Sequence, residues 1–155
     1  MKGNNEFIPK QNHGLSLYKR AMTKVGGLFN EELNDSLDII RVTQKGLQLQ
    51  ALEGLISWSI FSKTDLNWVI NKRTLSHRKQ NHSSLTPDES GKLIRAAKIA
   101  ALAVEVFGDE KKASLWLHKP RNSFNKQSPL DMVKTEVGAQ LVEETLNQID
   151  SGYFA

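Results

Sequence analysis

The run Thr86-Pro87-Asp88-Glu89-Ser90-Gly91-Lys92-Leu93-Ile94-Arg95-Ala96-Ala97-Lys98-Ile99-Ala100-Ala101-Leu102-Ala103-Val104-Glu105-Val106-Phe107-Gly108-Asp109 contains one helix together with its start and stop signals. A threonine hydroxyl can accept from the free amides of a first turn, proline at the first helical position loses no hydrogen bond, and Glu89 is placed to reach back to the cap. Gly108 ends the helix, because glycine takes the left-handed conformation at no steric cost. The spacing predicts a helix over residues 87–107, about 21 residues and roughly 30 Å long. Between Ala96 and Val104 only Lys98 is polar, so the helix should be covered nearly all round and form the spine of the core.

Toward the C-terminus, Asp109 can cap a helix carrying Ala113, Leu115, Trp116 and Leu117, with Pro120 forcing the exit. Phe107, Trp116 and Leu117 are read as core, since large aromatics at helical spacing usually pack inside. Residues 121–127 form a polar loop. Ser128-Pro129-Leu130-Asp131 then repeats the cap and proline signal, and Thr135-Glu136 opens a last helix through Val137, Leu141, Val142, Leu146 and Ile149 to a stop at Gly152.

Toward the N-terminus, Asn71 can cap a helix whose first turn carries Lys72, Arg73 and Thr74 and whose one large apolar anchor is Leu75. Before it, Ser62 and Asp65 read as a capping box for a short helix from about Lys63, with Leu66, Val69 and Ile70 as its apolar stripe. Residues 46–61 place Leu49, Leu52, Leu55, Ile56 and Ile60 on one helical face. Further back, Leu15, Tyr18, Met22 and Val25, then Leu33, Leu37 and Ile40, have helical spacing around a break at Gly26-Gly27. Those two stripes suit either packing on the core or pairing with a second copy. The first 14 residues read as a poorly ordered lead. No β alternation persists, so the fold class is all-α.

A chain of 155 residues, 39% apolar and 25% charged, supports one core and at most an appendage. Its longest uninterrupted apolar stretch, residues 99–104, is far short of the roughly 18 residues a membrane span needs, and the N-terminus lacks a secretory pattern. A cytoplasmic protein with no membrane partner is expected. Cysteine is absent, which excludes disulfides, thiolate nucleophiles and thiolate zinc sites. His77 and His82 are five residues apart and so lie on different helix faces, away from the spacing of a shared metal. The glycine-rich nucleotide loops, His-Glu-x-x-His and Gly-x-Ser-x-Gly are all missing, so no enzyme activity, metal or cofactor is expected.

Net charge is +4, and its distribution is more informative than its size. Residues 66–87 hold no acid but Lys72, Arg73, Arg78 and Lys79, with His77 and His82. In residues 128–155 the sign reverses: Lys134 stands alone against Asp131, Glu136, Glu143, Glu144 and Asp150. One anionic and one basic partner would fit the two regions, as would two solvated faces. The short helix, tight turn and basic helix have the outline of a helix-turn-helix, whose second helix enters the DNA major groove. In that role Arg73, Ser76, His77 and Arg78 are candidate base readers, and Lys72, Thr74 and Lys79 candidate phosphate contacts. A helical hairpin with a solvated basic face has the same pattern.

The motifs Arg73-Thr74-Leu75-Ser76-His77-Arg78-Lys79, Leu85-Thr86-Pro87-Asp88-Glu89-Ser90-Gly91, Glu105-Val106-Phe107-Gly108-Asp109, Trp116-Leu117, Ser128-Pro129-Leu130-Asp131 and Ile149-Asp150-Ser151-Gly152-Tyr153-Phe154-Ala155 resemble, in order and spacing, the Xre/MbcA/ParS family of antitoxins. The resemblance runs from about Gly46 to the last residue, and its C-terminal signature is the more specific part. It implies a type II antitoxin with a variable helical region (residues 1–40), an Xre-like helix-turn-helix domain (41–104) and a toxin-binding domain (105–155). The usual partner is a RES-domain toxin that consumes NAD; the antitoxin covers its active-site entrance and, in complex with it, binds operator DNA as a repressor of its own operon. A homodimer within a hetero-oligomeric toxin-antitoxin complex is implied as well, since helix-turn-helix readers usually address two half-sites. Given that partner, Ser128, Asp131, Glu143 and Asp150 are candidate toxin contacts, and Tyr153, Phe154 and Ala155 would enter or cap the toxin pocket, unless the chain end packs on its own domain. Leu66 stands nine positions before Leu75, about two fewer than the family spacing, which should tighten the turn or re-aim the basic helix. A stand-alone regulator whose C-terminal half only oligomerises is the competing reading.

Overall fold

The computed structural model describes residues 36–152 and is all-α, with seven α-helices and two 3-10 turns among those residues. The helices are α1 (Ser36–Lys45), α2 (Gln50–Ser57), α3 (Lys72–Asn81), α4 (Pro87–Phe107), α5 (Glu110–His118), α6 (Pro129–Met132) and α7 (Glu136–Asp150). The 3-10 turns are Thr64–Leu66 and Asn122–Phe124.

Helix α4 is the spine. Both halves of its capping box form: Glu89 N donates to Thr86 Oγ1 at 3.2 Å, and Thr86 N donates to Glu89 Oε2 at 2.8 Å. Its other end closes on left-handed Gly108, φ 67°. Helices α1, α2, α5 and α7 all pack on α4, with α6 bridging α5 and α7. Its alanines at 96, 97, 100, 101 and 103 are buried; small side chains let several helices approach one axis at once. A single apolar core runs from Val42 to Leu146, with Phe107 packed against Trp116 at a ring separation of 5.7 Å.

Ser90, wholly buried on α4, accepts from Leu47 N at 2.9 Å, while Leu47 O accepts from Leu85 N at 2.8 Å. The α1–α2 connection is thereby tied to α4 at the point where α4 begins. Gly46 permits this approach: it has φ +88°, and a Cβ there would lie 2.3 Å from Leu85 O.

Two sequence expectations change, and α1 bears on the stripe that suited either packing or pairing. The segment from Lys63 to Ile70 is a 3-10 turn followed by further hydrogen-bonded turns, not a short α-helix. Its Ser62–Asp65 box does form, at 2.7 and 3.1 Å, but the bonds that follow are chiefly of the i, i+3 type, Leu66 N to Lys63 O, Asn67 N to Thr64 O and Val69 N to Leu66 O, and Asn71 leaves the helical conformation to cap α3 (ψ 156°). Helix α2 covers only Gln50–Ser57, because Ser59 takes φ 65° and carries Ile60 and Phe61 into the core outside the helix. On α1, Leu37 and Ile40 face outward, whereas Val42 is buried and Ile39 packs on the core. The helix proposed around Leu15, Tyr18, Met22 and Val25, and the tail Tyr153-Phe154-Ala155, lie outside the described residues.

Candidate functional site

Helix α3 carries the basic cluster. Asn71 Oδ1 accepts from Thr74 N at 2.9 Å, and the helix ends at left-handed His82. It buries no residue completely; Leu75 packs partly into the core, Thr74 and Arg78 are half-buried, and the remaining residues of the helix are displayed. Such a helix is held by its ends and by a few side chains. The chief of these is Arg78. Its guanidinium donates to Ser84 O at 2.7 Å and grips both carboxylate oxygens of Glu89, at 3.0 and 2.7 Å, with only 16% of the side chain exposed. Lys79 pairs with Glu53 of α2 at 3.1 Å on the surface. Lys72, Arg73, Ser76 and His77 are exposed and Thr74 half-buried. Thus the structure brings all seven predicted basic-helix residues together, but turns Arg78 inward. Between α2 and α3 runs a groove of about 590 Å³ whose apolar lining includes Leu52, Ile56, Leu66 and Leu75 and whose polar lining includes Lys63, Lys72 and Lys79.

The acidic region is carried by α6 and α7. Ser128 is buried and works as a cap: its Oγ accepts from Asp131 N at 3.1 Å and donates to Asp131 Oδ2 at 2.8 Å. Hydrogen bonds from Lys134 and Ser128 hold the Asp131 pKa below the usual carboxylate value. Glu143 reaches across to Lys98 of α4 at 2.8 Å. Asp150 is exposed in the last turn of α7, where the helix dipole disfavours an acid. Of the apolar residues on α7, Val142 and Leu146 are buried, but Val137 and Leu141 point outward, 69% and 43% exposed. Being four residues apart, they form one outward stripe.

Arg95 joins the two regions. From α4 it donates through Nε to Val133 O (2.9 Å), through Nη1 to Glu136 (2.6 Å) and through Nη2 to Lys134 O (3.0 Å), and its guanidinium lies 5.2 Å from the Trp68 ring centroid. The start of α7 and the turn before α3 are therefore held by one side chain.

Residues 102–152 match the family described as the antitoxin Xre/MbcA/ParS C-terminal toxin-binding domain. The chain is 36% identical over 122 residues to an antitoxin Xre of Pseudomonas putida, covering 79% of this chain and 77% of that protein. The chain belongs to the Xre antitoxin family. An antitoxin Xre of Photorhabdus laumondii is 30% identical over 114 residues (72% and 77% covered), and one of Yersinia enterocolitica 26% identical over 113 residues (71% and 76%). The antitoxin thus has a toxin as its partner, and the matched segment starts in the last turns of α4 and takes in α5, α6 and α7. Among the described residues there is no cluster of three metal-ligating side chains, and no helix long and apolar enough to cross a membrane.

Sequence reasoning on the antitoxin missed Arg95 and the outward Val137–Leu141 stripe. The i, i+4 spacing of the stripe was visible, but equally compatible with the buried face. It also missed a contact between the 3-10 turn and α5, where His118 Nε2 lies 3.0 Å from Asp65 Oδ2 and His118 Nδ1 lies 2.7 Å from Ser114 O. Two acceptors on one ring favour the imidazolium. Burial works against the charge, but the hydrogen bonds to Asp65 and Ser114 outweigh it and raise the His118 pKa. Burial likewise pushes Asp65 up, yet bonds from Ser62 and His118 bring its pKa below the ordinary value.

A raised histidine pKa stabilises fully below its unfolded value and fades as pH rises through the folded one. A lowered carboxylate pKa stabilises above its unfolded value and fades as pH falls through the folded one. The pair is therefore worth most between about pH 4 and 6.5. His118→Gln is expected to lower stability by about 0.5 kcal/mol in that window, since the pair is partly exposed. The gap between wild type and variant in thermal melts should narrow at pH 8.5; an equal gap at both pH values would show that the charge contributes nothing.

Proposed function

We propose that this antitoxin neutralises a RES-domain toxin that consumes NAD, by covering its active site with the toxin-binding half (residues 105–155). Together with that toxin it binds operator DNA through the basic helix of the other half (residues 41–104), as a homodimer in a type II system acting in the cytoplasm. Helix α4 belongs to both halves. The chain itself is assigned no catalytic role.

The observation that carries the toxin side is the exposed Val137–Leu141 stripe, set in the very segment that matches the toxin-binding domain. Two large apolar side chains held out on a helix whose other face is packed are suited to a partner's apolar socket. The nearby Glu144 and Asp150 would favour a basic rim, the kind of surface an enzyme needs to hold an anionic dinucleotide. Ser128 and Asp131 are engaged with each other at the α6 cap and Glu143 with Lys98, so their contribution is to hold α6 and α7 in place. Tyr153, Phe154 and Ala155, whose aromatic pair could fill a nucleotide cavity, are proposed to enter or cap the toxin pocket. The DNA side rests on α3, where Lys72, Arg73 and Lys79 are displayed and no residue is fully buried.

Co-expression with the product of the neighbouring gene tests the reading. That product alone should arrest growth and deplete cellular NAD, and this chain should restore both. Growth arrest without loss of NAD would remove the RES assignment; no rescue by this chain would remove the partnership.

A further inference from the structure

Helix α3 has three faces, and the structure gives each a different occupation. Thr74, Leu75 and Arg78 turn toward the body of the protein, with Arg78 held between Ser84 O and the Glu89 carboxylate. Lys72, Ser76 and Lys79, with Leu75 at the edge, line the groove against α2. The remaining stripe is Arg73, His77 and Gln80, at positions i, i+4 and i+7, all exposed. We propose that Arg78 is a positioning residue that aims α3, and that the sequence-reading side chains are Arg73, His77 and Gln80.

This deepens the DNA-binding part of the proposed function and rests on it. The clamp acts at the α3–α4 junction, beside buried Leu85, whose amide donates to Leu47 O at 2.8 Å. The backbone carbonyl of Arg78 accepts from Ser83 N at 3.0 Å, while its side chain closes on Ser84 and Glu89. Glu89 in turn completes the cap of α4 through Thr86 N at 2.8 Å. A change at Arg78 therefore alters the angle at which α3 leaves α4. The stripe chemistry suits base edges: an arginine fits guanine, and a glutamine fits adenine. Lys72 and Lys79, on the groove side, are better placed to contact phosphates than to read bases.

The sign of one substitution separates positioning from contact. Glu89→Gln keeps a side chain able to close the capping box, but removes one negative charge and releases Arg78. If Arg78 were a DNA contact, affinity for the promoter would rise. If it aims the helix, affinity for the promoter should fall about tenfold, with the slope of log affinity against log salt unchanged because no phosphate contact is lost. Arg78→Ala should behave as Glu89→Gln does. By contrast, Lys72→Ala should weaken promoter and scrambled DNA equally and reduce the salt slope by about 1. Arg73→Ala and Gln80→Ala should each narrow the ratio between promoter and scrambled DNA.

Fluorescence anisotropy on the full-length chain, with its toxin where required, reads all of these. Tighter promoter binding by Glu89→Gln, or a salt slope reduced in Arg78→Ala, would overturn the positioning role. An unchanged promoter ratio in Gln80→Ala would overturn the stripe. If the wild-type protein does not distinguish its promoter from scrambled DNA, the DNA half of the proposed function fails. The clamp then stands or falls on amide exchange in α3, which Arg78→Ala must accelerate across residues 72–81.

Discussion

Gly138→Ala is expected to destabilise the protein by about 3 kcal/mol, roughly a 10 °C fall in Tm, although alanine is the better helix former. Gly138 lies in the first turn of α7, where its amide donates to Thr135 Oγ1 at 3.0 Å. A Cβ at this position would stand 1.9 Å from Met132 O, 2.7 Å from the same carbonyl carbon and 2.8 Å from Thr135 Oγ1. Those neighbours are backbone at the end of α6 and the cap of α7 itself, so neither can yield without moving a helix end. The cap, worth about 1 kcal/mol, would be strained together with the α6–α7 packing. Gly91→Ala gives the opposite sign. Gly91 lies within α4, and the nearest atom to an added Cβ is Thr43 Cγ2 at 3.8 Å, an ordinary contact; removing the backbone freedom of glycine there should stabilise by about 0.5–1 kcal/mol. Denaturant melts of the two variants check both signs. A Gly138→Ala variant as stable as wild type would mean that α6 and α7 do not approach as described.

The largest expected effect on function follows from the α7 stripe. Val137→Glu combined with Leu141→Glu should weaken toxin binding about a hundredfold or more, because two buried apolar anchors are each worth about 2 kcal/mol at an interface and a carboxylate in an apolar socket adds a desolvation cost. Both side chains are exposed in the free protein, so folding should change by no more than about 0.5 kcal/mol. Binding measured by titration, with a thermal melt of each variant, separates the two effects. Glu143→Gln serves as the contrast: it removes the negative charge that pairs with Lys98 at 2.8 Å, and its effect should appear in stability before binding. Full neutralisation by the doubly substituted chain would move the docking surface elsewhere.

The helix limits around α4, α5 and α7 were legible in the sequence because helix ends are decided by chemistry within about four residues. Thr86 with Glu89, Asp109, Ser128 and Thr135 each find their partner one turn away, so a linear reading suffices. Both the Ser62–Asp65 box and the Asn71 cap form, yet the chain between them settles into a 3-10 turn and further turns, so the sequence alone overestimated the helix.

Which way a side chain points is a different kind of fact. Val137 and Leu141 share α7 with Val142 and Leu146, and periodicity places all four in one amphipathic helix; only the docking of that helix on α4 buries the second pair and leaves the first displayed. Arg78 and Arg73 are both arginines of one basic helix, yet Glu89, eleven residues on in a different helix, draws one inward and leaves the other free. Lys98 and Glu143 meet across 45 residues of chain. Sequence by itself determined the capped helices from α3 onward and their order, because backbone capping is local. The tertiary structure alone decided which of their residues remain available to a toxin or to DNA, because burial depends on neighbours distant along the chain.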